Sequence, residues 1–180
     1  VLRDIETVSV EGSQSGQLRA KHIIIATGSR AASMRGVEED GDRIGNSTAA
    51  LQYSTVPERL IVIGGGYIGL ELGNVWSRLG AKTIVLEAAD RILPGLDSEL
   101  SQLAQRSFTK QGIEFRTGMW VESAKIENGK CVVRCKGQEP LEADRVLLAA
   151  GRLPNSRDIG LESCGIETDK RGFIPVDANY

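Results

Sequence analysis

"IVIGGGYIGLELG", Ile61 to Gly73, sets five glycines into a run that otherwise reads as a buried strand opening onto a helix. The lead-in "RLIVIGGG" is continuously apolar, as a strand in a parallel sheet covered on both faces requires. Tyr67 to Leu79 has helical spacing, with Ile68, Leu72, Val75, Trp76 and Leu79 on one stripe, and Gly80 stands where a helix C-terminus favours glycine. "KTIVLE" returns as the next strand. Gly64, Gly66 and Gly69 therefore form G-x-G-x-x-G in a strand–turn–helix setting, with Glu87 closing the next strand 18 residues after the third glycine. In that setting the pattern marks a dinucleotide site.

Each glycine has a separate task. Gly64 permits the tight turn, Gly66 lets a pyrophosphate approach the backbone, and Gly69 lets the helix pack on its strand. The backbone of Gly65, Tyr67 and Ile68 completes the cradle, where free N–H groups of the first helical turn, carrying about half a positive charge, face the phosphates. Glu87 accepts hydrogen bonds from the adenosine ribose hydroxyls. A 2′-phosphate would meet its like charge at a cost on the order of a few kcal/mol at an effective dielectric of ~20. Since ~1.4 kcal/mol is a factor of ten, NAD is expected over NADP by at least tenfold.

Outward from this unit, a second helix is expected from Ser98 to Gln111, opened by Asp97 as N-cap and closed at Gly112, followed by the strand "IEFRT". From Trp120 to Leu148 the pattern becomes short alternating segments, "VESAKIE", "CVVRCKG" and "DRVLLAA", with Asn128-Gly129 as a strong hairpin signal. This predicts an α/β fold: a Rossmann-like βαβ core with a three-stranded antiparallel meander. Before the core, residues 1 to 30 read as two strands, the second being "KHIIIATGS", and a short strand is expected at "GFIPVD" in the tail. "KHIIIATGSR" (21–30) and "DRVLLAAGRLPN" (144–155) echo one another as charged start, apolar run and glycine stop.

A chain of 180 residues with 41% hydrophobic content can bury an ordinary core, and no apolar run approaches the ~20 residues of a membrane span. A net charge of −2 without like-charge blocks leaves no footprint for nucleic acid or an acidic membrane. The chain opens without methionine inside a strand-like run, which suggests a piece of something longer. Three cysteines, Cys131, Cys135 and Cys164, suit a reducing compartment. Cys131 and Cys135, four apart on one strand, lie about 13 Å apart and form no disulfide. No His/Cys/Asp spacing suits a metal, and His22 reads as structural.

"IGGGYIGLELGNVWSRLGAKTIVLEAADRILPGLDSEL" resembles the NAD-binding segment of the flavin-dependent disulfide reductases, most closely the dihydrolipoamide dehydrogenases. "AKHIIIATGSR", "NSTAAL", "VPERL", "ADRVLLAAGRLPN" and "SCGIETDKRGFIPVD" agree with it, so the likeness covers essentially the whole chain. The resemblance implies residues 1–50 as the end of a first FAD-domain segment, 51–150 as the NAD domain, and 151–180 as the start of a second FAD-domain segment. It implies that Glu71 pairs with a lysine near the flavin and helps place the nicotinamide, and that Tyr67 stands where some members gate the flavin face. Ala150 and Gly151 are to run beside the cofactor, Arg152 to face the flavin side, and Thr27 and Gly28 to lie near the adenine half of FAD.

In such an enzyme, electrons pass from dihydrolipoamide through a disulfide to FAD and then as hydride to NAD, and these residues hold NAD. The redox cysteines, the flavin fingerprint and the C-terminal histidine base are not in this stretch, so it is expected to bind NAD weakly and catalyse nothing by itself. The implied parent is a homodimer in the cytoplasm or mitochondrial matrix, able to join a 2-oxo acid dehydrogenase complex. Mercuric reductases, soluble transhydrogenases and NADH oxidases share these motifs, and a non-redox NAD-responsive module is the alternative of another class.

Overall fold

The computed structural model describes residues 1–178, in two compact units: Val1–Arg30 with the segment from Arg152 onward, and Ala31–Gly151. The first unit opens with β1 (Leu2–Asp4), β2 (Thr7–Val10) and β3 (Gly16–Arg19), an antiparallel sheet in that order. The opening run makes two strands because the Asp4 carboxylate accepts the Glu6 N–H at 2.8 Å and turns the chain. Residues 21–28, expected as a strand, form none, and Ile24 is 90% exposed. No strand among the described residues runs beside them to complete a ladder. β4 (Ser29–Ala31) follows.

The second unit contains β5 (Ile44–Gly45), α1 (Ser47–Ala50), β6 (Arg59–Ile63), α2 (Tyr67–Arg78), β7 (Lys82–Leu86), α3 (Ser98–Lys110) and β8 (Glu114–Arg116). β9 (Val121–Glu127), β10 (Lys130–Cys135), β11 (Leu141–Ala143) and β12 (Arg145–Leu148) complete it. Five strands make one parallel sheet in the order β5-β12-β6-β7-β8. Three make the antiparallel meander, in the order β11-β10-β9. Asn128 and Gly129 have φ of 50° and 80°, the two positive values that a two-residue hairpin of the primed type requires.

One expectation shifts here. "DRVLLAA" leaves the meander and enters the parallel sheet as β12, while the third meander strand is Leu141–Ala143. The compact units divide between residues 30 and 31. Residues 31–50 pack with the second unit because β5 pairs with β12, Val37 bridges Ala124 and Ile44 is fully buried.

Both faces of the sheet are covered, which accounts for the unbroken apolar run of β6. Ile61 and Ile63 join Val121, Cys131 and Val133 of the meander in one core cluster. Leu60 and Val62 join Leu70 and Trp76 of α2 in the other. The buried face of α2 is Gly69, Leu70, Gly73 and Trp76, whereas Val75 and Leu79 of the expected stripe are 49% and 57% exposed. The glycines decide the rotation: a Cβ on Gly73 would already stand 3.3 Å from Val62, so the helix lies closest to the sheet along its barest side. Asp97 caps α3 through the N–H groups of Glu99 and Leu100.

The chain then re-enters the first unit with β13 (Arg152–Pro154), paired with β4, and a 3-10 helix (Leu161–Cys164). The strand expected in "GFIPVD" is absent. The Asp169 carboxylate instead accepts the N–H groups of Arg171 and Phe173, both at 2.8 Å, and folds the segment into a turn.

Asp144 joins the meander to the parallel sheet, accepting the Arg59 N–H at 2.9 Å and the Lys130 ammonium at 2.7 Å. The Lys130 hydrogen bond, followed by the backbone donors, holds its pKa below the ordinary 3.8. A carboxylate with a lowered folded pKa contributes stability above its unfolded value and loses it as pH falls through the folded one. Asp144→Asn is therefore expected to cost about 1 kcal/mol at pH 7. Thermal melts of the two proteins should converge as pH drops below 3.8.

Candidate dinucleotide-binding site

The turn from β6 into α2 separates the glycines by what each one meets. A Cβ on Gly64 would lie 2.4 Å from the Ala149 carbonyl oxygen, and φ there is +112°. A Cβ on Gly69 would lie 2.2 Å from the Gly64 oxygen and 3.0 Å from Val62. The fold itself requires both. Gly66 differs: its φ of −78° suits any residue, and a Cβ would meet nothing within 4 Å. Nothing among the described residues demands a glycine at that position, and the space beside it is open. A group brought close to the Gly66 backbone fits where a side chain would stand.

Gly66 is also the N-cap of α2 and offers no side-chain oxygen, and the first helical bond runs from Leu70 N–H to Gly66 O. The N–H groups of Tyr67, Ile68 and Gly69 precede that bond and have no acceptor within the helix. No acidic residue lies in the first turn to offset their partial positive charge. These residues fit the diphosphate of a dinucleotide.

Glu87, just past the end of β7, turns its carboxylate back onto the loop. Oε2 accepts the Gly65 N–H at 2.6 Å and Oε1 accepts the Ala89 N–H at 2.8 Å. Each oxygen keeps a further lone pair for a hydroxyl donor. The expected ribose acceptor is therefore also a brace for the glycine turn, which spacing alone does not reveal.

Sequence reasoning also missed the connection from β7 to α3. The Leu93 N–H donates to Gly65 O at 2.9 Å, and the fully buried Ile92 would stand 3.1 Å from a Gly65 Cβ. The sequence carries no signal for this contact: Ser101 and Ser107 both lie inside α3, yet Ser101 is buried and Ser107 is exposed.

Tyr67 and Glu71 lie one turn apart on α2, and both are exposed. Ala150 is exposed and Gly151 has φ +146°, its carbonyl accepting the Ala32 N–H. In the first unit, Asn155 donates from Nδ2 to Thr27 O at 3.1 Å and from its backbone to Gly28 O at 3.0 Å. Arg152 donates from Nε to Ser29 Oγ at 2.7 Å, so its guanidinium is engaged within that unit.

The strand cysteines are buried and free. Burial pushes Cys131 up to about 11 and raises Cys135, so both stay protonated thiols without nucleophilic character. No group of metal-ligating side chains occurs among the described residues, and no helix there is long and apolar enough to cross a membrane.

The profile of the pyridine nucleotide-disulphide oxidoreductases matches residues 2–180. The chain belongs to that family. Among family relatives, dihydrolipoyl dehydrogenase 3 of Pseudomonas aeruginosa is 45% identical over 172 residues, covering 93% of this chain and 37% of its own. Dihydrolipoamide dehydrogenase of Chaetomium thermophilum is 44% identical over 190 residues, covering 98% and 37%. The Cu(II) complex of the HOCl-induced flavoprotein disulfide reductase RclA from Escherichia coli superposes with a TM-score of 0.83 at 25% identity, over 98% of this chain and 40% of that one. The chain thus spans 37% of the length of these curated oxidoreductase relatives.

The three glycines should separate in the laboratory as they do in space. Gly64→Ala and Gly69→Ala are expected to destabilise by about 1–3 kcal/mol, the ordinary cost of overpacking. Gly66→Ala should stay within about 1 kcal/mol of the parent, since only its N-cap preference changes. Urea unfolding of the three variants checks this.

Proposed function

We propose that this chain is the NAD-binding part of a flavoprotein disulfide oxidoreductase, a dihydrolipoamide dehydrogenase. The observation that carries the proposal is Gly66, a glycine the fold does not need, beside open space at an uncapped helix N-terminus. Relatives named dihydrolipoyl dehydrogenase at 45% identity support the choice of enzyme. Bound NAD would supply the hydride acceptor, and FAD in the whole protein the electron relay from the disulfide.

The work of this chain is binding and orientation. The N–H groups at Gly66, Tyr67 and Ile68 hold the diphosphate, while Gly64, Gly65 and Gly69 shape the turn that presents them. Glu87 accepts from the adenosine ribose and rejects a 2′-phosphate. Tyr67 and Glu71, on the exposed face of α2, attend the nicotinamide end, with Ala150 and Gly151 beside it. Thr27, Gly28 and Arg152 belong to the flavin-binding part. The whole protein is proposed to be a homodimer of the cytoplasm or mitochondrial matrix that serves a 2-oxo acid dehydrogenase complex.

Calorimetric titration with NADH and with NADPH tests the proposal. Saturable NADH binding with NADPH at least tenfold weaker is expected, and a folded chain that binds neither would overturn it. Gly66→Val should abolish NADH binding while leaving the circular dichroism spectrum unchanged. Glu87→Arg should narrow or reverse the preference between the two nucleotides; an unchanged ratio would remove Glu87 from the ribose.

A further inference from the structure

Ser101 is 1% exposed and the only buried residue of α3. Its Oγ lies 3.2 Å from Leu93 O and 3.1 Å from Asp97 O, so a single hydroxyl proton serves the helix cap and the loop before it. Leu93 is held at φ +48°, a left-handed conformation that a leucine adopts only where its surroundings impose it. In that conformation its carbonyl meets Ser101 and the Leu96 N–H at 2.9 Å, and its own N–H reaches Gly65 O at 2.9 Å.

The last contact has a geometric consequence. Gly65 C=O and Gly66 N–H belong to one planar trans peptide and point in opposite directions. Fixing the carbonyl on Leu93 therefore aims the Gly66 N–H away from Leu93. The N–H of Gly65 is fixed as well, on Glu87. The two polar groups of Gly65 thus meet opposite ends of the connection, the N–H at Glu87 beside the sheet and the carbonyl at Leu93, which Ser101 holds.

Resting on the assignment of Gly66 to the diphosphate, we propose that Ser101 is a positioning residue for dinucleotide binding. Through Leu93 it sets the 65–66 peptide before the ligand arrives, although its own side chain touches no ligand. Loss of the hydroxyl frees Leu93 to leave φ +48° and lets that peptide rotate. The penalty falls on ligands that carry a diphosphate and spares those that reach only Glu87.

The test compares the parent chain with Ser101→Ala, Gly66→Val and Phe108→Leu. Phe108→Leu loosens α3 against Phe115 of β8 without altering the Ser101–Leu93 contact. Ser101→Ala is expected to keep its circular dichroism spectrum, to exchange the Leu93 amide proton faster, and to bind NADH and ADP-ribose about tenfold more weakly. Its affinity for adenosine should be unchanged. Phe108→Leu should melt lower yet keep its NADH affinity within about twofold.

If Ser101→Ala binds NADH like the parent while Gly66→Val does not bind, the inference about Ser101 falls and the Gly66 assignment stands. If Gly66→Val binds like the parent, the Gly66 assignment falls first. An equal loss for adenosine, or a loss in Phe108→Leu matching that in Ser101→Ala, would reduce Ser101 to a general structural role and overturn the proposal.

Discussion

The closeness of α2 to the strands beneath it governs the second unit. At Gly64 the chain passes so near the end of β12 that a side chain would strike the Ala149 carbonyl, and at Gly69 the helix nearly touches the Gly64 oxygen. This approach turns the helix onto its glycine face and buries Leu70 and Trp76. It also brings the helix N-terminus to the C-terminal edge of a parallel sheet, beside the point where β6 and β12 lie next to each other. Ligands of open α/β sheets settle outside the carboxyl ends of such strands. Packing therefore accounts for Gly64 and Gly69, and Gly66 alone of the three motif glycines is left without a packing role.

What could be read in advance follows from how local each signal is. The glycine turn, the Asp97 cap, the Asn128-Gly129 hairpin and the apolar β6 and β7 each depend on neighbours in sequence, and all are present in the structure. The misread elements depend on partners far along the chain. Whether "DRVLLAA" pairs with β11 or with β6 is decided by which neighbour buries both its faces, and β6, some 85 residues upstream, does so. Counting apolar residues on α2 picks out Val75 and Leu79, because a hydrophobic stripe gives no weight to glycine. Close packing on bare backbone reversed that choice. The run through Ile24 has the composition of a strand but no neighbour among the described residues, and composition cannot report a missing partner.

The site was legible to the same extent. The motif spacing picked out Gly64, Gly66, Gly69 and Glu87; the structure gathers them at one turn, with Gly64 and Gly69 required by packing and Gly66 free of it. What the spacing could not reveal is that Glu87 faces the loop as well as outward, or that Leu93 and Ser101 stand behind it. These are contacts between a turn and a connection of irregular shape. No periodicity encodes them, and the positive φ of Leu93 is invisible in a sequence that places an ordinary branched residue there.

The placement of Glu87 settles an electrostatic difficulty. A carboxylate beside a cradle meant for a diphosphate repels its ligand, and at short range through protein this opposes binding by a few kcal/mol on the order of Coulomb's estimate. Here the charge is drawn onto two backbone N–H donors, Gly65 and Ala89. Hydrogen bonds to a charged acceptor are worth about 1.5–3 kcal/mol each and spread its charge into the peptide dipoles. That reduces the field a phosphate near Gly66 would feel, and under the proposed assignment a phosphate on the ribose would face the carboxylate that accepts from the ribose hydroxyls. The same two hydrogen bonds hold the turn in shape, and under the proposed assignment they would let an acid select against one phosphate while standing next to two others.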